Sequence, residues 1–330
     1  MKPVSRTIRA AQNTCARLLS GFDRFFFQAA SPSAVALFRI FFSATLLLNL
    51  AMRIPHTEFY YTDAGGMALE YAIQVLPEFH QPAFTWLPSG YGEALAMQIV
   101  QATALFGLLF GVFGRIGSRL LALIAFLTHV ALMQRNISIV YGADIVSTFW
   151  LFGLLFMDST EAISVRAFLR DRSTRNSGIK PVWLEPVWSR TLTSVGLRLS
   201  QIQLSLIYGY TGFEKLKGGD WWDQTAIWKV LGNEQLMMAD LSFLKSVPLI
   251  IGLATWGTVL FEVYAPVLLW VKSSRRWVML AGWALHLGIA ATMGLFVFSF
   301  TMMAGYLLFL ESDEVHSLLN RFGGNKVARL

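Results

Sequence analysis

Apolar residues in this chain gather in long blocks divided by short polar stretches. The stripes of a water-facing helix and the alternation of a half-buried strand are both absent from these blocks. Eight stand out, at residues 33–52, 91–113, 120–133, 145–157, 197–213, 248–271, 277–293 and 295–310. A helix rises about 1.5 Å per residue, so about 20 apolar residues cross a hydrocarbon core of roughly 30 Å. The blocks predict an all-α fold: a polytopic helical bundle embedded in a membrane. The third and fourth are short and need flanking residues such as Arg119 or Asp158, or a smaller tilt. Seven spans is the rival count.

Composition agrees with a bilayer: 55% of the 330 residues are hydrophobic and 14% charged, leaving little chain for a separate soluble domain. A single cysteine, Cys15, excludes an internal disulfide and any multi-thiolate metal site, and no metal is expected. The net charge of +7 need not signal nucleic acid, because polytopic chains collect basic residues on their cytoplasmic side. Alternate segments are lopsided in this respect. The N-terminal segment, 114–119, 158–196, the turn near Lys272 and the C-terminal tail together hold nineteen Lys and Arg. The opposite segments hold six: Arg53, Arg135, Lys215, Lys217, Lys229 and Lys245. Both termini are therefore expected in the cytoplasm, with 53–90, 134–144 and 214–247 outside. The localisation expected is the cell membrane, multi-pass.

Residues 1–32 read as a basic amphipathic segment: Ile8, Ala11, Cys15, Leu18, Phe22 and Phe26 recur at helical spacing, with Arg6, Arg9, Arg17 and Arg24 mostly opposite. Such a helix lies in the membrane interface, against lipids. No cleavable signal peptide is visible. Segment 53–90 carries Pro55, Pro77, Pro82 and Pro88 among Phe59, Tyr60, Tyr61, Phe79, Phe84 and Trp86, and is predicted to fold back over the outer mouth. The polar stretch from Asp171 to Gly178 reads as a flexible cytoplasmic connector dividing four spans from four. The membrane domain covers 33–310, and 311–330 is a cytoplasmic tail. Arg119 and Arg276 each precede a His by ten residues, His129 and His286, a weak echo between the halves.

Charge is expensive in hydrocarbon, so ionisable groups within the blocks are the candidates for function. Arg39, Arg198, Glu262, His129 and His286 are inside them, and Lys215 falls just past the fifth. Pro266 leaves the carbonyl of Glu262 without its helical donor. Glu262 is expected either to pair with Arg39 or His286 as a structural contact, or to act as the acid of a buried site. His129 fits an interhelical hydrogen bond. Lys215 sits in the stretch Tyr208-Gly209-Tyr210-Thr211-Gly212-Phe213-Glu214-Lys215-Leu216, followed by Trp221-Trp222. Lysines and tryptophans here read as interface anchors, or Lys215, desolvated at the bundle mouth, serves as a general base.

These residues resemble the vitamin K-dependent γ-carboxylase-like proteins, also called the horizontally transferred transmembrane domain (HTTM) family. The likeness starts at Ala34 to Phe41 with its internal Arg39, and continues through Gln134-Arg135-Asn136 and Tyr141-Gly142. It is strongest over Arg198, Gln203, Tyr208, Gly212, Lys215-Leu216 and Trp221, and includes Glu262 and His286. The resemblance implies a membrane site for a lipid quinone such as reduced vitamin K or menaquinone. It makes Lys215 the base, with His286 and Glu262 as supporting catalytic groups. Arg39, Arg198, Asn136, Tyr208 and Trp221 would contact substrate. Two departures are evident: Ile137 follows Asn136 where the carboxylase has a His, and the large lumenal region expected after the spans is missing.

Three functions follow. The first is a quinone-dependent oxidation or carboxylation-type enzyme at the outer face. The second is a non-catalytic accessory protein for a secreted peptide, since the family includes a bacterial protein needed to mature a peptide toxin. The third is a small-molecule transporter with mid-membrane Glu262 and His286.

Overall fold

The computed structural model describes residues 3–27, 32–74, 87–170, 187–233 and 240–315, together with positions 236, 238 and 317. Pro77, Phe79, Pro82, Phe84 and Trp86, the connector from Asp171 to Gly178 and most of the C-terminal tail lie outside the described residues. Among those described there is no strand. The long helices are α1 (Pro3–Phe27), α2 (Pro32–Arg53), α3 (Tyr91–Phe110), α4 (Arg115–Arg135), α5 (Gly142–Phe156), α6 (Val187–Lys217), α7 (Pro248–Leu268), α8 (Lys272–Met293) and α9 (Phe296–Leu307). Each of the eight apolar blocks falls on one helix from α2 to α9. The third block, read at 120–133, extends back to Arg115 as a 21-residue helix, whereas α5 has 15 residues.

Local chemistry sets the boundaries. Gly111 ends α3 at φ +61 and Gly294 ends α8 at φ +69, left-handed positions where an L side chain is strained. At the start of α3, Glu93 accepts from the backbone N–H groups of Ser89 (2.9 Å) and Gly90 (3.3 Å). Pro248 opens α7, where its missing N–H costs nothing.

α9 is the innermost helix, packed by α2, α5, α6 and α8. Nine of its 12 residues are buried. Phe38, Phe42, Trp150, Leu204, Met302 and Tyr306 build the core around it. Gly305 admits the closest approach, since a Cβ there would lie 2.8 Å from Trp150. The indole N–H of Trp150 donates to the Thr301 carbonyl at 2.9 Å.

Large apolar side chains also cover much of the outside. Leu199, Leu206 and Phe213 on α6, Leu253, Leu260 and Val267 on α7, and Leu280 and Leu287 on α8 are exposed at seven-residue intervals, forming apolar ridges of the kind a bilayer covers. Four helices are long and apolar enough to cross a membrane: α2 with its continuation to Tyr61, α3, α4 and α7. α5 and α9 are apolar but shorter.

Buried arginines fasten the ends. At the end where α1 lies, fully buried Arg39 donates to the backbone carbonyls of Ser159 (2.9 Å), Leu109 (2.9 Å), Ile163 (2.7 Å) and Leu108. At the opposite end Arg135, also fully buried, donates to Pro88 (2.6 Å) and Met67 (2.7 Å) carbonyls and pairs with Asp63 at 2.8 Å. Asn136 donates to the Tyr60 carbonyl at 3.0 Å. The described parts of segment 53–90 are thus folded back onto the end of α4.

Candidate functional site

The site grows from the crossing of α6 and α7. A Cβ on Gly212 would lie 2.9 Å from both the Glu262 carbonyl carbon and the Val263 nitrogen, so only glycine allows the two backbones to meet. One turn earlier, Gly209 rests against the Pro266 ring with ordinary spacing of 3.6 Å. We expect Gly212→Ala to cost about 1–3 kcal/mol of stability through overpacking, and Gly209→Ala to be near neutral. Thermal unfolding of the purified variants in detergent checks the contrast.

This approach brings Lys215 Nζ to 2.7 Å from Glu262 Oε2, with side chains 22% and 11% exposed. The Lys215 ammonium also stands 5.2 Å over the Trp221 ring. Glu262 lies 14 residues into α7, about 21 Å along it from its start, while Lys215 is in the last turn of α6. Short helices Gly219–Trp222 and Ala226–Leu231 pack against α7 above it, with Trp222 and Trp256 in edge contact at 5.1 Å. The intervening turn holds Gln224 at φ +65, and its side chain occupies the space beside Gly252. Thr225 donates to Asp223 from its hydroxyl and its backbone N–H (3.0 Å), holding the Asp223 carboxyl below its usual range.

Seven residues before Lys215, about 10 Å along the helix, Tyr208 begins a second polar group. Its hydroxyl is 2.6 Å from His286 Nε2 and 2.5 Å from the Tyr306 hydroxyl. All three residues are buried, and His286 Nδ1 has no hydrogen-bond partner among the described residues. Gly282 leaves room for the Tyr306 hydroxyl. An ammonium–carboxylate pair above an imidazole–hydroxyl–hydroxyl chain centred on Tyr208 is chemically suited to accept, hold and release protons away from bulk water.

Of the residues singled out from sequence, Lys215, Glu262 and Trp221 come together, and Tyr208 and His286 form the adjoining group. Glu262 takes Lys215 as its partner, neither Arg39 nor His286. Arg39 is spent on backbone carbonyls at the α1 end. Arg198 is at that same end, donating to the Phe25 carbonyl at 2.9 Å. Asn136 holds Tyr60 and accepts from Ser138 at the opposite end. Among the described residues, no three His, Cys, Asp or Glu side chains converge as metal ligands.

Sequence reasoning missed Tyr306 and the Arg53–Asp144 pair of a second buried network, in which His129 makes the interhelical hydrogen bond expected of it. There, Arg53 pairs with fully buried Asp144 at 2.8 Å, and His129 Nε2 lies 3.0 Å from the Asp144 carbonyl. Gln101 is 3.4 Å from His129 Nδ1. An acid opening an apolar block, as Asp144 does, was the signal available.

In comparison with known protein families, the HTTM domain model aligns with residues 27–313. No curated protein matches, and no solved structure does. That alignment takes in α2 through α9, both polar groups and the lipid-facing ridges, and the chain is accordingly a membrane protein belonging to the HTTM domain family.

Proposed function

We propose that this protein is a membrane enzyme of the vitamin K carboxylase-like type in which Lys215 is the base and Glu262 its proton partner. The observation that carries the reading is the largely buried 2.7 Å Lys215–Glu262 contact beside Trp221. Movement of one proton from Nζ to Glu262 turns the ion pair into two neutral groups, and the free amine then accepts a proton from an acidic hydroxyl. Tyr208, His286 and Tyr306 orient and relay protons below it. The donor set fits a reduced lipid quinone: an amine, a carboxylate, the face of Trp221 and the unpartnered His286 Nδ1. Such a quinone would supply an acidic hydroxyl and a ring that oxygen can oxidise. Arg39 and Asn136, committed to backbone, are assigned structural roles.

We also infer eight crossings, α2 to α9, with both termini cytoplasmic and the chain in the cell membrane. The nineteen-to-six distribution of basic residues and the gathering of Arg39, Arg115, Arg119 and Arg198 at the α1 end support this arrangement. The Lys215 site then opens outward.

The test uses protein in lipid nanodiscs supplied with reduced menaquinone and oxygen, with quinone epoxide measured by mass spectrometry. We expect epoxide from the wild type and at least ~100-fold less from Lys215→Ala, the contribution of a general base. Equal yields, or none from folded wild type, would overturn the assignment. Half-exposed Ile137, beside the committed Asn136, favours a second reading: an accessory protein that binds a secreted peptide without chemistry. Wild-type peptide maturation in a deletion strain would dismiss it.

A further inference from the structure

At the α1 end, remote from Lys215, a polar cavity opens between the start of the lipid-facing part of α6, the turn from α7 to α8 and the residues after α9. Arg198, Gln201, Trp270, Arg275 and Glu311 line it. Both arginines are fixed by their other nitrogens. Arg198 uses Nε on the Phe25 carbonyl (2.9 Å) and Nη1 on Gln201 (2.8 Å), and its guanidinium stacks 5.0 Å from the Phe25 ring. Gln201 is held in turn by the Leu308 carbonyl at 2.8 Å. Arg275 uses Nε on the Leu269 carbonyl (3.1 Å) and Nη1 on Phe309 (3.2 Å) and Glu311 (3.0 Å). In each case Nη2 is left outside these bonds.

Charge is unbalanced here. Arg198 has no carboxylate partner among the described residues, and the two guanidiniums repel each other. Glu311, the carboxylate of the cavity, is shared between Arg275 and Lys272, the latter at 2.7 Å. Two guanidiniums thus line the cavity against one carboxylate, itself drawn toward Lys272 outside it. Depth supplies the ligand. The cavity adjoins α1, whose exposed Leu18, Leu19, Phe22 and Phe27 suit the boundary between acyl chains and headgroups. Preorganised arginines at that depth match phosphate oxygens, which take guanidinium donors in pairs.

We propose that this cavity binds the phosphate of an acidic phospholipid headgroup, with Arg198 and Arg275 as its donors. The headgroup neutralises the excess charge and ties α1 to the bundle through the Arg198–Phe25 contact. The site is independent of the Lys215 chemistry.

Full-length protein in a neutral detergent, mixed with phosphatidylglycerol and examined by native mass spectrometry, tests it. One lipid is expected to remain on the wild type, with retention at least 10-fold weaker in Arg198→Gln and in Arg275→Gln. Arg276→Gln, changing a 75% exposed cation on the same turn, should retain the lipid as wild type does. Equal loss in Arg276→Gln would overturn the proposal, as would undiminished retention in the two cavity variants or equal retention of phosphatidylcholine. Displacement of the lipid by 10 mM inorganic phosphate would assign the site to free phosphate and overturn the lipid assignment. If Arg198→Gln does not fold, having lost its hold on α1, Arg275→Gln decides the matter.

Discussion

Arg39→Ala is expected to remove about 3–5 kcal/mol of stability, enough that little folded protein survives purification. Arg39 is completely buried and offers its donors to four carbonyls, those of Leu108, Leu109, Ser159 and Ile163. Two of these bonds are buried and two partly so, and each bare buried carbonyl costs about 1–3 kcal/mol. Two of the four belong to the last turn of α3, where the helix dipole concentrates negative charge. This explains how the bundle tolerates a guanidinium with no carboxylate beside it among the described residues. The fit is close: a Cβ on Gly111 would press on Arg39 Nη1 at 2.8 Å. Lysine keeps the charge but is a single point donor, so Arg39→Lys should recover only part of the loss. Fluorescence-detected size exclusion after graded heating measures both. A wild-type transition in Arg39→Ala would show that the carbonyls find other partners.

Breaking the Lys215–Glu262 pair from either side is expected to cost about 3 kcal/mol, and removing both residues together distinctly less than the two losses added. Glu262→Ala leaves the ammonium with the Trp221 face as its main counterpart, while Lys215→Ala strands a carboxylate that is 11% exposed. The double variant strands neither. A double-mutant cycle on thermal or denaturant unfolding should return a coupling of about 1–3 kcal/mol. Additive losses would mean that the two side chains do not depend on each other.

The helices were legible because an apolar block must be helical to hide its backbone in lipid, so each of the eight blocks marks one helix. Ends were less legible. Residues 115–119, with Arg115 and Arg119, look polar in sequence yet continue α4, because Arg119 reaches the Phe156 carbonyl (3.0 Å) and Arg115 pairs with Asp158 (3.3 Å). Lys215 and Glu262 could be singled out because charge is expensive at membrane depth, and Trp221 through the resemblance. Which partner each takes could not, since that depends on the helix crossing that Gly212 permits. Arg39 was expected to seek an anion and instead satisfies helix-end carbonyls, a pattern invisible to residue type. Tyr306 resembles any aromatic on an apolar helix until α9 is placed at the centre of the bundle.

The central claim is that Lys215 is a base and not an anchor. Chemical rescue tests it most directly: quinone epoxide formation by Lys215→Ala in nanodiscs, measured with and without added small primary amines. The account predicts a silent variant whose turnover returns as amine concentration and basicity rise. Wild-type turnover in Lys215→Ala without any amine would contradict it.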